Sequence, residues 1–140
     1  LPMHRLQTYI VEDSPVIRDN LVATLEELVP LRVVGVAADE STALQWLQSP
    51  EHRAELVIVD IFLKAGSGLG LLRSARGLPR QGKFVVFSNY ATPDLRRKCL
   101  ELGADRVFDK SGEIDDLIRY CGDLAAARPT PPGHAAQVSE

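Results

Sequence analysis

The chain has 140 residues, 45% hydrophobic and 25% charged, with a formal net charge of −3 and an isoelectric point near 5.6. That composition fits one globular domain, able to bury about two-thirds of its unfolded surface without staples, and its acidic balance argues against general affinity for nucleic acid. No apolar run approaches the ~18 residues of a membrane span and no leader pattern opens the chain, so a reducing cytoplasm is the expected compartment, with Cys99 and Cys121 as buried thiols outside any CxxC pair.

Leu1 and Pro2 ahead of Met3 are read as a tag remnant, and residues 1–6 as an N-terminal extension. The β-branched run Thr8 to Val11 predicts a first strand, ending at the acidic pair Glu12-Asp13. Ser14-Pro15 sets a capping hydroxyl before a proline in the first helical turn, and Ile17, Leu21, Leu25 and Leu28 recur on one helical face. A second strand is expected over Arg32 to Val36. A second helix follows around Ser41 to Leu47, packed in part by Trp46.

Leu56 to Ile61 reads as a third strand, apolar without alternation through Val59, as in a central parallel strand covered on both faces. Asp60 stands near its end. The glycines of the run Lys64 to Gly70 fit neither GxGxxG nor the P-loop spacing, so a flexible connection is expected there rather than a nucleotide cradle. A short helix around Leu69 to Ala75 and a fourth strand over Lys83 to Ser88 come next.

Thr92-Pro93 repeats the capping pattern, before a helix with Leu95, Cys99 and Leu102 inside and Arg96-Arg97-Lys98 on a solvated face. Arg106 to Phe108 reads as the fifth strand, followed by Asp109-Lys110. Ile114, Leu117, Ile118 and Cys121 form the last helical stripe. From residue 128 onward the prolines and polar residues offer too little apolar surface to offset ordering, so 128–140 is expected to be a disordered tail.

Strands alternating with helices indicate an α/β doubly wound parallel sheet, whose ligand site lies at the carboxyl ends of the strands. Glu12, Asp13, Asp60, Ser88 and Lys110 all stand there. Taken singly, each has a commoner explanation as a loop acid, a turn residue, a capping hydroxyl or a solvated lysine. Taken together they describe a phosphoryl-transfer site. Three close carboxylates repel one another, and a hard cation with oxygen ligands relieves this; with few protein ligands and a phosphate substrate it is Mg²⁺. The backbone carbonyl of Phe62 is a further candidate ligand. Lys110 supplies a point positive charge, Ser88 a hydroxyl donor, and Asp60 the nucleophile. His4, His52 and His134 are not placed for a Ser-His-Asp arrangement.

The stretch Ile10-Val11-Glu12-Asp13-Ser14, the run Val57-Ile58-Val59-Asp60, Ser88, and Gly103-Ala104-Asp105 leading to Asp109-Lys110 resemble receiver domains of two-component response regulators, over residues 7–127. Gly68 matches a family glycine eight residues after the phosphorylated Asp. The resemblance implies a flavodoxin-like sheet of five parallel strands in the order 2-1-3-4-5 with five helices. It also implies that a histidine kinase or histidine phosphotransfer protein phosphorylates Asp60, with Mg²⁺ held by Glu12, Asp13, Asp60 and Phe62. Ser88 and Lys110 would read the phosphoryl group. The domain would be a signalling phosphoacceptor rather than an enzyme, engaging a downstream protein through the fourth helix, fifth strand and fifth helix. Direct contact with nucleic acid or membrane is not expected, and homodimerisation is left open.

Other readings compete with this one. A flavin binder would need a first loop that welcomes phosphate, and an aspartyl-phosphate phosphatase would need a second Asp where Phe62 stands. A short Pro-rich ending without a helix-turn-helix favours a stand-alone regulator over the receiver part of a DNA-binding regulator, and the complete acidic pair with Asp60 and Lys110 argues against a phosphorylation-independent interaction module. Three positions depart from the family pattern. Lys64 replaces a usual proline, Asn89 a usual small residue, and Val107 the usual aromatic, with Phe108 one place later and facing the other way. Tyr90 is the remaining aromatic candidate near Ser88.

Overall fold

Strands and helices alternate without exception in the computed structural model, which describes residues 4–79 and 82–127. The strands are β1 (Leu6–Val11), β2 (Leu31–Ala37), β3 (Leu56–Val59), β4 (Lys83–Ser88) and β5 (Arg106–Asp109). The helices are α1 (Pro15–Leu28), α2 (Glu40–Gln48), α3 (Gly68–Ala75), α4 (Pro93–Glu101) and α5 (Ile114–Ala127). All strand pairs are parallel, in the order β2-β1-β3-β4-β5. This is the doubly wound, flavodoxin-like arrangement expected from the sequence. The proposed tail at 128–140 lies outside the described residues.

Side chains alternate across each strand, so one strand feeds two cores. Val57 and Val59 join Tyr9, Val11, Leu71, Leu72 and Val86 on one face, while Leu56 and Ile58 join Ile10, Leu21, Leu25, Val85 and Leu117 on the other. Every residue of β3 is buried, which is why its sequence shows no polar alternation. Leu25 is fully enclosed, and burying a side chain of that size contributes about 1.5–3 kcal/mol.

Both predicted caps form: Ser14 accepts from the Ile17 amide and Thr92 from the Leu95 amide. The α1 stripe is narrower than its periodicity suggested. Leu21 and Leu25 are buried, but Ile17 and Leu28 stand 39% and 59% exposed; at the C-terminal end the buried stripe runs on to Val29, four residues after Leu25, and leaves Leu28 outside. Trp46 packs as expected and does so between rings, stacked on Tyr9 at 4.0 Å and on His52 at 4.4 Å between centroids. Val107 and Phe108 do face opposite cores.

Candidate functional site

Hydrogen bonds that prolong the sheet carry the polar residues into the site. The Glu12 amide donates to the Ala37 carbonyl at 2.9 Å, the Asp60 amide to Val11 at 3.0 Å, and the Lys110 amide to Ser88 at 3.0 Å. Glu12, Asp60 and Lys110 therefore project from backbone that is nearly as constrained as a strand. Ser88 is the last residue of β4 and is completely buried.

These residues meet in one cluster. Lys110 Nζ lies 2.7 Å from Asp60 Oδ2 and 2.5 Å from Glu12 Oε1. Ser88 Oγ donates to Asp60 Oδ1 at 2.6 Å, and the Phe62 amide donates to the same oxygen at 3.1 Å. Glu12 Oε2 accepts from the Ser14 amide at 3.0 Å, and Asp13 Oδ2 from the Lys64 amide at 2.9 Å. One carboxylate oxygen from each of Glu12, Asp13 and Asp60 lies within 4.8 Å of the others. Phe62 itself is 53% exposed, at the rim.

Burial pushes the Glu12 carboxyl above its ordinary range, outweighing the hydrogen bonds from Lys110 and the Ser14 amide that pull it down. For Lys110, burial pulls downward, but the bonds to Asp60 and Glu12 prevail and raise it overall. The asymmetry is geometric: Lys110 is shared by two carboxylates, whereas Glu12 has one ammonium and an uncharged amide. Lys110 is held as a cation.

Three features escape the sequence pattern. The glycine-containing connection after β3, expected to be flexible, is bonded on both flanks: Lys64 to Asp13, and Ser67 and Ala65 to Glu40. Arg96, expected on a solvated face with Arg97 and Lys98, turns inward. Its guanidinium donates to the carbonyls of Ala91 and Val107 and pairs with Glu113 at 2.7 Å. Asp109 accepts from the Ala91 amide at 3.0 Å, and its carboxyl is held low by the Ser111 hydroxyl and amide. Arg96 and Asp109 thus tie the segment after Ser88 to β5. Tyr90, in that segment, has φ of +58°, a conformation uncommon for a residue with a side chain. It is 80% exposed and meets Phe62 edge-on at 6.5 Å. A basic sequence run carries no sign of which member turns inward.

The model of the response regulator receiver domain matches residues 8–121. A probable transcriptional regulatory protein of Picosynechococcus sp. is 37% identical over 120 residues, covering 82% of this chain and 47% of that protein. A protein-glutamate methylesterase/protein-glutamine glutaminase of Methanospirillum hungatei is 26% identical over 121 residues, covering 85% of this chain and 35% of that protein. The chain thus spans half or less of the length of these relatives. Among solved structures, the receiver domain of Francisella response regulator 1452 superposes with a TM-score of 0.77 at 20% identity, over 87% of this chain and 98% of that one. At that identity the likeness concerns the fold, and it agrees with the strand order observed. Given a family match over most of its length, the chain belongs to the response regulator receiver domains of two-component systems.

Proposed function

We propose that Asp60 accepts a phosphoryl group from a histidine kinase or histidine phosphotransfer protein, in a reaction that requires Mg²⁺. The observation that carries this reading is the division of labour on the Asp60 carboxylate. Oδ1 is held by Ser88 and the Phe62 amide, Oδ2 by Lys110, so the nucleophile is oriented before any substrate arrives.

The donor set suits the ion. Three hard oxygen ligands face one another, and a single ammonium offsets one of their three charges, leaving an excess that matches a divalent cation. Glu12, Asp13, Asp60 and the Phe62 carbonyl would hold it. When bound, Mg²⁺ neutralises charge that builds on the transferred group. A carboxylate oxygen of Asp60 forms the new bond to phosphorus as the phosphorus–nitrogen bond to the donor histidine breaks. The histidine nitrogen leaves with the bonding pair. Lys110 keeps its proton throughout and stabilises the negative oxygens as a point charge. Ser88 Oγ exchanges its bond to Asp60 for one to a phosphoryl oxygen, drawing the end of β4 toward the site and altering the face of α4, β5 and α5 where a downstream protein binds.

In this reading the unit is a cytoplasmic phosphoacceptor that assists its own phosphorylation and dephosphorylation and acts on no other substrate. Intact-mass measurement after incubation with a small acyl phosphate tests it. The parent should gain one phosphoryl group with Mg²⁺ and none without, and Asp60→Asn should gain none. An unmodified parent in the presence of Mg²⁺ would overturn the proposal. The greater length of the relatives favours a second reading beside the stand-alone one, in which the receiver governs an attached output domain. The size of the native gene product separates the two.

A further inference from the structure

The connection between β3 and α3 carries Phe62 and Lys64 and leads directly from Asp60. On one flank the Lys64 amide reaches Asp13 at 2.9 Å. On the other, the first residue of α2 grips it twice. The Glu40 amide donates to the Ala65 carbonyl at 3.2 Å, and Glu40 Oε1 accepts from the Ser67 amide at 2.8 Å.

The glycines of this segment shape a slot around that carboxylate. A Cβ at Gly66 would meet the Glu40 Cβ, and one at Gly70 would stand 2.6 Å from both Glu40 carboxylate oxygens. Gly66 also has φ of +75°, which disfavours any other residue. By contrast, a Cβ at Gly77, Gly112 or Gly122 would meet nothing within 4 Å. The glycines at 66 and 70 therefore fit one particular side chain, and that side chain fixes the loop where Lys64 offers no ring to stiffen it.

We propose that Glu40 is a positioning residue for the Asp60 site. Its carboxylate holds Ser67, which keeps the Lys64 amide on Asp13 and so aims Asp13 toward Glu12 and Asp60. Glu40 acts as a hydrogen-bond acceptor, not as a charge, so glutamine can replace it while alanine cannot. The consequence for metal affinity rests on the phosphoacceptor reading; the consequence for the loop does not.

Amide hydrogen exchange, resolved by residue, reads the loop directly. The Lys64 amide donates to Asp13 rather than to Glu40, yet in Glu40→Ala it should exchange about tenfold faster. It should return to near the parent rate in Glu40→Gln. Gly70→Ala, which displaces the carboxylate without altering it, should reproduce the acceleration and add little when combined with Glu40→Ala. Mg²⁺ titration should show affinity about tenfold weaker in Glu40→Ala and restored in Glu40→Gln. Unchanged Lys64 exchange in Glu40→Ala, or acceleration that glutamine fails to reverse, would overturn the inference. A parent that binds no Mg²⁺ and accepts no phosphoryl group, with Lys64 still released by Glu40→Ala, would sink the phosphoacceptor reading and leave Glu40 as the residue that positions the loop.

Discussion

Gly68 packs its backbone against Asp60 so closely that a Cβ at residue 68 would stand 2.4 Å from the Asp60 carbonyl oxygen and 2.8 Å from the Ile61 Cα. The contact is between backbones, so no side-chain rotation relieves it. The Gly68 amide also donates to the Ile61 carbonyl at 3.0 Å. The start of α3 is thus seated on the residue proposed to receive the phosphoryl group.

Gly68→Ala should force these two backbones apart, at a cost of about 1–3 kcal/mol for overpacking. Phosphorylation by an acyl phosphate should slow in the same variant, because Asp60 moves relative to Lys110. Urea midpoints and intact-mass time courses check the two effects; a variant with parental stability would show that the backbone yields freely.

Lys110→Met should lower stability at pH 7 by about 3 kcal/mol, since it leaves two buried carboxylates without their cation. The Lys110, Glu12 and Asp60 side chains are all less than one-tenth exposed, so water replaces little of that interaction. The loss should shrink at pH 5, where the raised Glu12 carboxyl takes up a proton more readily. Denaturant melts of both proteins at the two pH values test this, and an equal loss at both would contradict it.

Arg96 and Glu113 should be coupled. Each is about one-third exposed, which limits the pair itself to about 0.5–1 kcal/mol. Removing Arg96 also strips the Ala91 and Val107 carbonyls of donors. Arg96→Ala should therefore cost about 2 kcal/mol, more than Glu113→Ala, and the double variant less than the sum of the two. A double-mutant cycle by chemical denaturation measures the difference.

Alkaline stability should depend on Tyr9. Burial, with a smaller contribution from Asp39, pushes its phenol from 10.0 up to about 12. The folded chain then holds a proton that the unfolded chain releases, so stability is intact below pH 10 and falls as pH rises toward 12. Tyr9→Phe should remove this dependence and narrow the gap between pH 9 and pH 11 by about 1 kcal/mol. A residual slope should persist from Cys121, whose thiol burial raises to about 12. Urea melts at the two pH values follow both contributions.

Local periodicity was enough to place all five strands and five helices, and the ends of those strands were enough to nominate Glu12, Asp13, Asp60, Ser88 and Lys110. Both signals are local: a pleated strand alternates faces, β3 is covered on two sides, and a hydroxyl before proline caps a helix whatever lies beyond it. The order of the strands came from the family resemblance, since periodicity says nothing about which strands are neighbours. The tertiary structure decided what depends on how far helices sit from the sheet and which way long side chains turn. It exposed Ile17 and Leu28 at the ends of α1, turned Arg96 in from a basic run, and put Glu40 into a slot between Gly66 and Gly70. Glu40 and Ser67 stand 27 residues apart in the chain. Their contact exists only because parallel strands bring the start of α2, after β2, and the loop after β3 to the same carboxyl end of the sheet, and no spacing rule within one element records it.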